Sequence, residues 1–121
     1  MILVDTSIWV DHLREGDSGL ARLLEDRRVL VHPYVIGELA LGHLRDRRQV
    51  LLSLGRLPQI EVARHDEVLA LIEAARLAGT GIGYVDAHLL ASIRLRPGST
   101  LWTGDKRLAA VSAGLELGST H

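Results

Sequence analysis

The chain has 121 residues, is 47% hydrophobic and 24% charged, and carries a formal net charge of −1. These values suit a single soluble globular domain spanning the whole chain, 1–121, around one core. They supply none of the basic excess that would point directly to nucleic acid. Cysteine is absent, which excludes a disulfide framework and thiolate metal sites and fits a reducing compartment such as the cytoplasm.

In chain order, the apolar start Ile2-Leu3-Val4 reads as a strand closed by Asp5. No basic region precedes it, so it makes a poor signal peptide. Ser7 is placed to cap a first helix running to about Arg14, and Asp17 or Ser18 a second carrying Leu20, Leu23 and Leu24. A strand over Val29 to His32 follows. Pro33 then suits the first turn of a third helix reaching about Leu44. A fourth helix is expected from Arg47 to Leu54, a strand from Ile60 to Ala63, and a fifth helix from Asp66 to Ala78 with Gly79 after it. Gly79-Thr80-Gly81-Ile82-Gly83 is a flexible turn before a helix from Tyr84 to Leu95, which Pro97-Gly98 ends. A strand from Thr100 to Thr103, a helix from Asp105 to Ser112 and a weak strand from Leu115 to Leu117 complete the chain. Strands separated by helices imply parallel pairing in an α/β fold. With Phe absent, the core has to be built from Leu, Val, Ile and Ala. No apolar run approaches the ~18 residues of a membrane helix.

The chemistry is concentrated in acids. Asp5 closes the first strand, and Asp105 follows Leu101-Trp102-Thr103. Carboxylates brought together at the ends of adjacent parallel strands are oxygen ligands for hard divalent cations. Asp86 stands out on pattern. At about 100° per residue, Val85, Leu89, Leu90 and Ile93 form one apolar stripe with Asp86 near its middle, where a charge is costly unless paired or metal-bound. Each of these acids also reads as a helix-capping carboxylate. Glu38 lies off the stripe of Ile36, Leu39, Ala40 and His43, and by itself reads as an ordinary exposed glutamate. Several carboxylates drawn together repel and need a cation to stay ionised. No histidine pattern competes, so Mg2+ or Mn2+ is favoured over zinc. The leading reading is a metal-dependent enzyme acting on phosphate esters.

Other features are weaker. Arg45, Arg47 and Arg48, Arg94 with Arg96, and Lys106 with Arg107 suit either solvated helix surface or phosphate contact. Gly16-Asp17-Ser18-Gly19 resembles a serine-protease nucleophile segment but reads better as a turn before a helix. Gly79, Gly81 and Gly83 miss the spacing of a dinucleotide loop. His12, His43 and His88 could be acid–base groups, but packing or interface roles suit His43 and His88 better. Trp9 and Trp102 fit core packing, with stacking on an RNA base as the alternative.

Taken together, four segments resemble the PIN-domain ribonucleases, and specifically the VapC-type toxins of bacterial toxin–antitoxin pairs. They are Ile2 through Trp9, Gly37-Glu38-Leu39, Ile82 through Ser92, and Thr103-Gly104-Asp105-Lys106-Arg107-Leu108. The resemblance implies a three-layer α/β/α sandwich with a central parallel sheet of four or five strands. It makes Asp5, Glu38, Asp86 and Asp105 the family's acidic quartet, with Asp5, Asp86 and Asp105 as metal ligands and Thr6 and Thr103 as supporting hydroxyls. It implies one or two Mg2+ or Mn2+ ions and cleavage of structured RNA, a tRNA or ribosomal RNA loop, by metal-activated water. It also implies a VapB-type antitoxin that blocks the site, homodimerisation, and no membrane partner. The alternative is a non-catalytic PIN-like module that binds protein.

Overall fold

A computed structural model describes all residues, Met1–His121. The elements are β1 (Ile2–Val4), α1 (Thr6–Glu15), α2 (Ser18–Glu25), β2 (Val29–Leu30), α3 (Pro33–Ala40), α4 (Arg47–Arg56), α5 (His65–Ala74), α6 (Tyr84–Arg94), β3 (Thr100–Trp102) and α7 (Lys106–Gly114). The strands form a parallel sheet in the order β2-β1-β3, with Ile2 opposite both Val29 and Thr100. Parallel neighbours need long crossovers, and the intervening helices supply them. Helix α3 packs between α1 and α4, α5 packs on α6, and α6 reaches β3. The arrangement is a three-layer α/β/α fold.

The sheet is narrower than the four or five strands expected. Gln59 makes a single parallel bridge to Val31, and Gly118 a single parallel bridge to Leu101. Each bridge is held by two backbone hydrogen bonds, Val31 N–H to Pro58 O with Ile60 N–H to Val31 O, and Leu101 N–H to Leu117 O with Ser119 N–H to Leu101 O. Ile60 to Ala63 and Leu115 to Leu117 therefore flank the sheet without extending it as strands. Pro58 bounds the first, since it has no N–H to donate. The second begins just as the chain leaves α7.

Two helices also stop early. The third ends at Ala40, short of Leu44, because Gly42 turns the chain back onto Leu39 O. The fifth ends at Ala74, short of Ala78: Arg76 takes a left-handed φ of 54° and Leu77 N–H closes on Ile72 O. That closure is usually made by glycine. No helix is long and apolar enough to cross a membrane.

One cluster of 25 buried side chains forms the core, all Leu, Ile, Val and Ala apart from Trp9, as a chain without Phe requires. Helix α6 runs through it and is buried at every position from Ala87 to Ile93. It is covered around its whole circumference, which corrects the expectation of one apolar stripe. Val85 and Asp86, immediately before that run, are only half-buried, so Asp86 sits where the core helix emerges.

Candidate active site

The strand register builds the first half of the site. Val4 pairs with Trp102, and Asp5 N–H bonds Trp102 O at 2.9 Å, so the next residues, Asp5 and Thr103, face each other across the sheet edge. Thr103 Oγ1 donates to Asp5 Oδ2 at 2.6 Å and accepts from Asp105 N–H at 3.0 Å. Asp5 is 6% exposed, so its charge depends on these donors. Thr6 N–H bonds Asp5 Oδ1 at 2.7 Å and Ser7 Oγ reaches Oδ2 at 3.3 Å. Ser7 also accepts from Gly104 N–H at 2.9 Å, tying the end of β1 to the loop after β3.

The helices bring the other three acids to the same edge. Thr6 Oγ1 donates to Glu38 Oε1 at 2.7 Å, linking the start of α1 to the middle of α3. Asp86, in the first turn of α6, accepts from Gly83 N–H at 2.9 Å. Asp105 accepts from Leu108 N–H at 3.0 Å and caps α7. Three of the four acids thus lie at helix N-termini, where the helix dipole favours an anion. The capping reading is realised at Asp5, Asp86 and Asp105. Asp5, not Ser7, caps α1.

Asp86 lies within reach of the charges of the other three acids. The Asp86 carboxyl is held above the ordinary carboxylate range, chiefly by burial. The Gly83 N–H opposes the rise, while the charges of Asp5, Asp105 and Glu38 add to it. The donor set is all oxygen and its field is negative, which suits a hard divalent cation. No three of the acids are yet drawn tightly enough to enclose an ion. Both oxygens of Asp5 are engaged by donors of the chain itself, whereas Glu38, Asp86 and Asp105 each use one oxygen and leave the other without a bond in the chain.

Several other expectations resolve differently. Thr6 serves Glu38 through its hydroxyl and Asp5 through its N–H. The anchoring role of Ser7 was missed, although its place two residues after Asp5 in the first turn of α1 was visible. Asp17 caps α2 through Leu20 N–H, so Gly16 to Gly19 is a turn. His12 Nδ1 accepts from Asp17 N–H at 3.0 Å. Trp9 is in the core and Trp102 is half-buried at the sheet edge. Arg47 clamps the end of α3 through the carbonyls of Ala40 and Gly42, leaving Arg45 and Arg48 exposed. Arg107 lies across Gly81, whose φ of +88° and missing Cβ, which would stand 2.8 Å from Arg107 Cδ, leave room for it. His43 lies beyond α3, in a cavity of about 590 Å³ that Glu38, Arg14 and Arg45 also line.

A parallel α/β/α sheet with acids gathered at its strand ends is the frame of a PIN domain. The PIN domain family matches residues 2–114, and the chain belongs to it. Within that family it is similar to Ribonuclease VapC32 of Mycobacterium tuberculosis, from strain CDC 1551 / Oshkosh and from strain ATCC 25618 / H37Rv. Each is 53% identical over 113 residues, covering 93% of this chain and 91% of the relative. The chain is a VapC-type PIN-domain protein.

Proposed function

We propose that this single domain is the toxin of a type II toxin–antitoxin pair, a Mg2+- or Mn2+-dependent endoribonuclease that cuts structured RNA. The observation that carries the reading is the placement of Asp5 and Asp105 at the ends of neighbouring strands, joined through Thr103, with Asp86 at the start of α6 and Glu38 tied to the start of α1 through Thr6, since carboxylates so placed are oxygen ligands for a divalent cation. The similarity to Ribonuclease VapC32 over nearly the full chain supports the choice of RNA. Asp5, Asp86 and Asp105 would hold the metal, with Glu38 completing the quartet. A bound divalent cation supplies a water of lowered pKa and stabilises charge on the entering and leaving phosphate oxygens.

The chain's own residues do the positioning. Thr103 and Ser7 fix the Asp5 carboxylate from the Oδ2 side, and the Thr6 N–H fixes it from the other. Thr6 holds Glu38 across from it. Gly83 N–H holds Asp86 at the mouth of α6. Asp5, Asp86 and Asp105 thus stand on strand ends and helix starts and Glu38 within α3, elements that hold geometry better than loops. A VapB-type antitoxin and a second copy of the chain are the protein partners in this reading, and the cytoplasm its compartment.

The test is cleavage of total RNA in Mg2+, with and without EDTA, by the wild type, Asp5→Asn and Asp86→Asn. Cleavage by the wild type alone, abolished by EDTA and leaving 5′-phosphate ends, is expected. Equal cleavage by all three proteins would sink the proposal.

A further inference from the structure

The chain has no Phe and two Tyr, and both tyrosines occupy one patch of surface. Tyr34 is 39% and Tyr84 45% exposed. Each ring centroid lies 4.8 Å from that of the buried His88, at steep interplanar angles of 65° and 88°. His32, fully buried, packs beneath, 5.0 Å from the Tyr34 ring and 6.3 Å from His88. Tyr84 Oη lies 2.5 Å from His65 Nδ1 and 3.0 Å from His88 Nε2, which fixes its ring. The Tyr34 backbone N–H is held by His32 Nδ1 at 3.0 Å. Singly exposed aromatics are unremarkable on a protein surface. Two in contact with one buried histidine form a built surface.

The patch borders the acids. Tyr34 precedes Glu38 by four residues on α3, which puts both side chains on one helix face a turn apart, about 6 Å along the axis. Tyr84, at the start of α6, shares a helix face with His88 one turn on and joins the patch through it. The acids repel a phosphate backbone, and a net charge of −1 provides no general electrostatic capture. Arg14 and Arg45 line the cavity beside Glu38 and offer local phosphate contact, and contacts that do not depend on charge add affinity next to the acids. Stacking of an unpaired base on an aromatic ring is such a contact.

Resting on the ribonuclease reading, we propose that Tyr34 and Tyr84 form a stacking platform for an unpaired base of the RNA, beside the phosphate that is cut. The experiment compares KM and kcat for cleavage of a single-stranded-loop RNA in Mg2+ by the wild type, Tyr34→Ala and Tyr34→Phe. The Tyr34 hydroxyl makes no hydrogen bond within the chain, so Phe keeps the ring and loses nothing else. A thermal midpoint for each variant controls for folding.

Tyr34→Ala is expected to raise KM by about five- to a hundredfold with kcat little changed, the range that one stacked base contributes. Tyr34→Phe should stay within about twofold of wild type. With a substrate made abasic next to the cut, wild type and Tyr34→Ala should converge, the signature of a shared interaction. An unchanged KM for Tyr34→Ala in a protein that still cleaves overturns the platform and leaves the ribonuclease standing. So does an unchanged KM accompanied by lost dimerisation or lost antitoxin binding, which would make the patch a protein interface. A wild type that cleaves no RNA overturns both.

Discussion

Thr103→Val removes the hydroxyl that orients Asp5 while keeping the shape of the side chain. The lost bond, Thr103 Oγ1 to Asp5 Oδ2 at 2.6 Å, is made to a carboxylate that is 6% exposed. A hydrogen bond to a charged group contributes about 1.5–3 kcal/mol. What remains on Oδ2 is Ser7 Oγ at 3.3 Å, too long to compensate. The second bond of the hydroxyl, from Asp105 N–H, lies at an exposed position, so that N–H returns to water at little penalty. The destabilisation is therefore about 1.5–3 kcal/mol. With about 2.1 cal/mol/K of unfolding entropy per residue over 121 residues, it corresponds to a thermal midpoint lowered by roughly 6–12 °C. Thermal and urea unfolding of the apo protein measure it, with Thr103→Ser as the variant that restores the hydroxyl. In an Asp5→Asn background the loss should shrink to about 1 kcal/mol, the contribution of a neutral bond. A shift of under about 0.5 kcal/mol for Thr103→Val in wild type would refute the reasoning that this hydroxyl holds the buried carboxylate.

Thr6→Val should release Glu38. The bond lies at an exposed position, so stability is expected to change by less than about 1 kcal/mol, while metal affinity or cleavage falls about 10- to 100-fold; equal activity would detach Thr6 from the site. Burial, reinforced by the neighbouring His88, pushes the His32 imidazole down from 6.5 to about 4. The unfolded chain therefore binds a proton that the folded chain refuses between these values. The stability contributed by neutral His32 is fully present above pH 6.5 and falls away as pH drops toward 4, with a slope of up to about 1.4 kcal/mol per pH unit. His32→Asn keeps an acceptor for Tyr34 N–H, and unfolding curves taken against pH should flatten in that window. An unchanged slope would show that His32 does not carry the acid sensitivity.

How far the sequence revealed the site depended on whether a residue's neighbours in space were also its neighbours in the chain. Asp5 and Asp105 followed apolar runs, so their strand-end placement was readable before any pairing was known. Asp86 was readable because an acid interrupted a helix of apolar residues, although the helix proved buried all round. Glu38 offered no such signal: it is tied to Thr6, 32 residues earlier in the chain, and nothing in the local pattern of α3 marks that contact. Ser7 reads as a cap in sequence because the first turn of a helix and the residue before it look alike there, whereas Asp5 holds that place in the fold. The narrow sheet was hidden for a related reason. Extended segments near Ile60 and Leu117 have strand composition, but whether they pair beyond one bridge depends on edge contacts set by the rest of the fold.

The role of the acids as one metal-binding unit is tested most directly by titrating Mn2+ into the metal-free protein and into Asp5→Asn, Asp86→Asn and Asp105→Asn, following binding by calorimetry. Saturable binding by the wild type, weakened at least about tenfold by each substitution, is the expected result. Binding that survives all three substitutions, or no binding by the wild type, would contradict a shared cation site at this sheet edge.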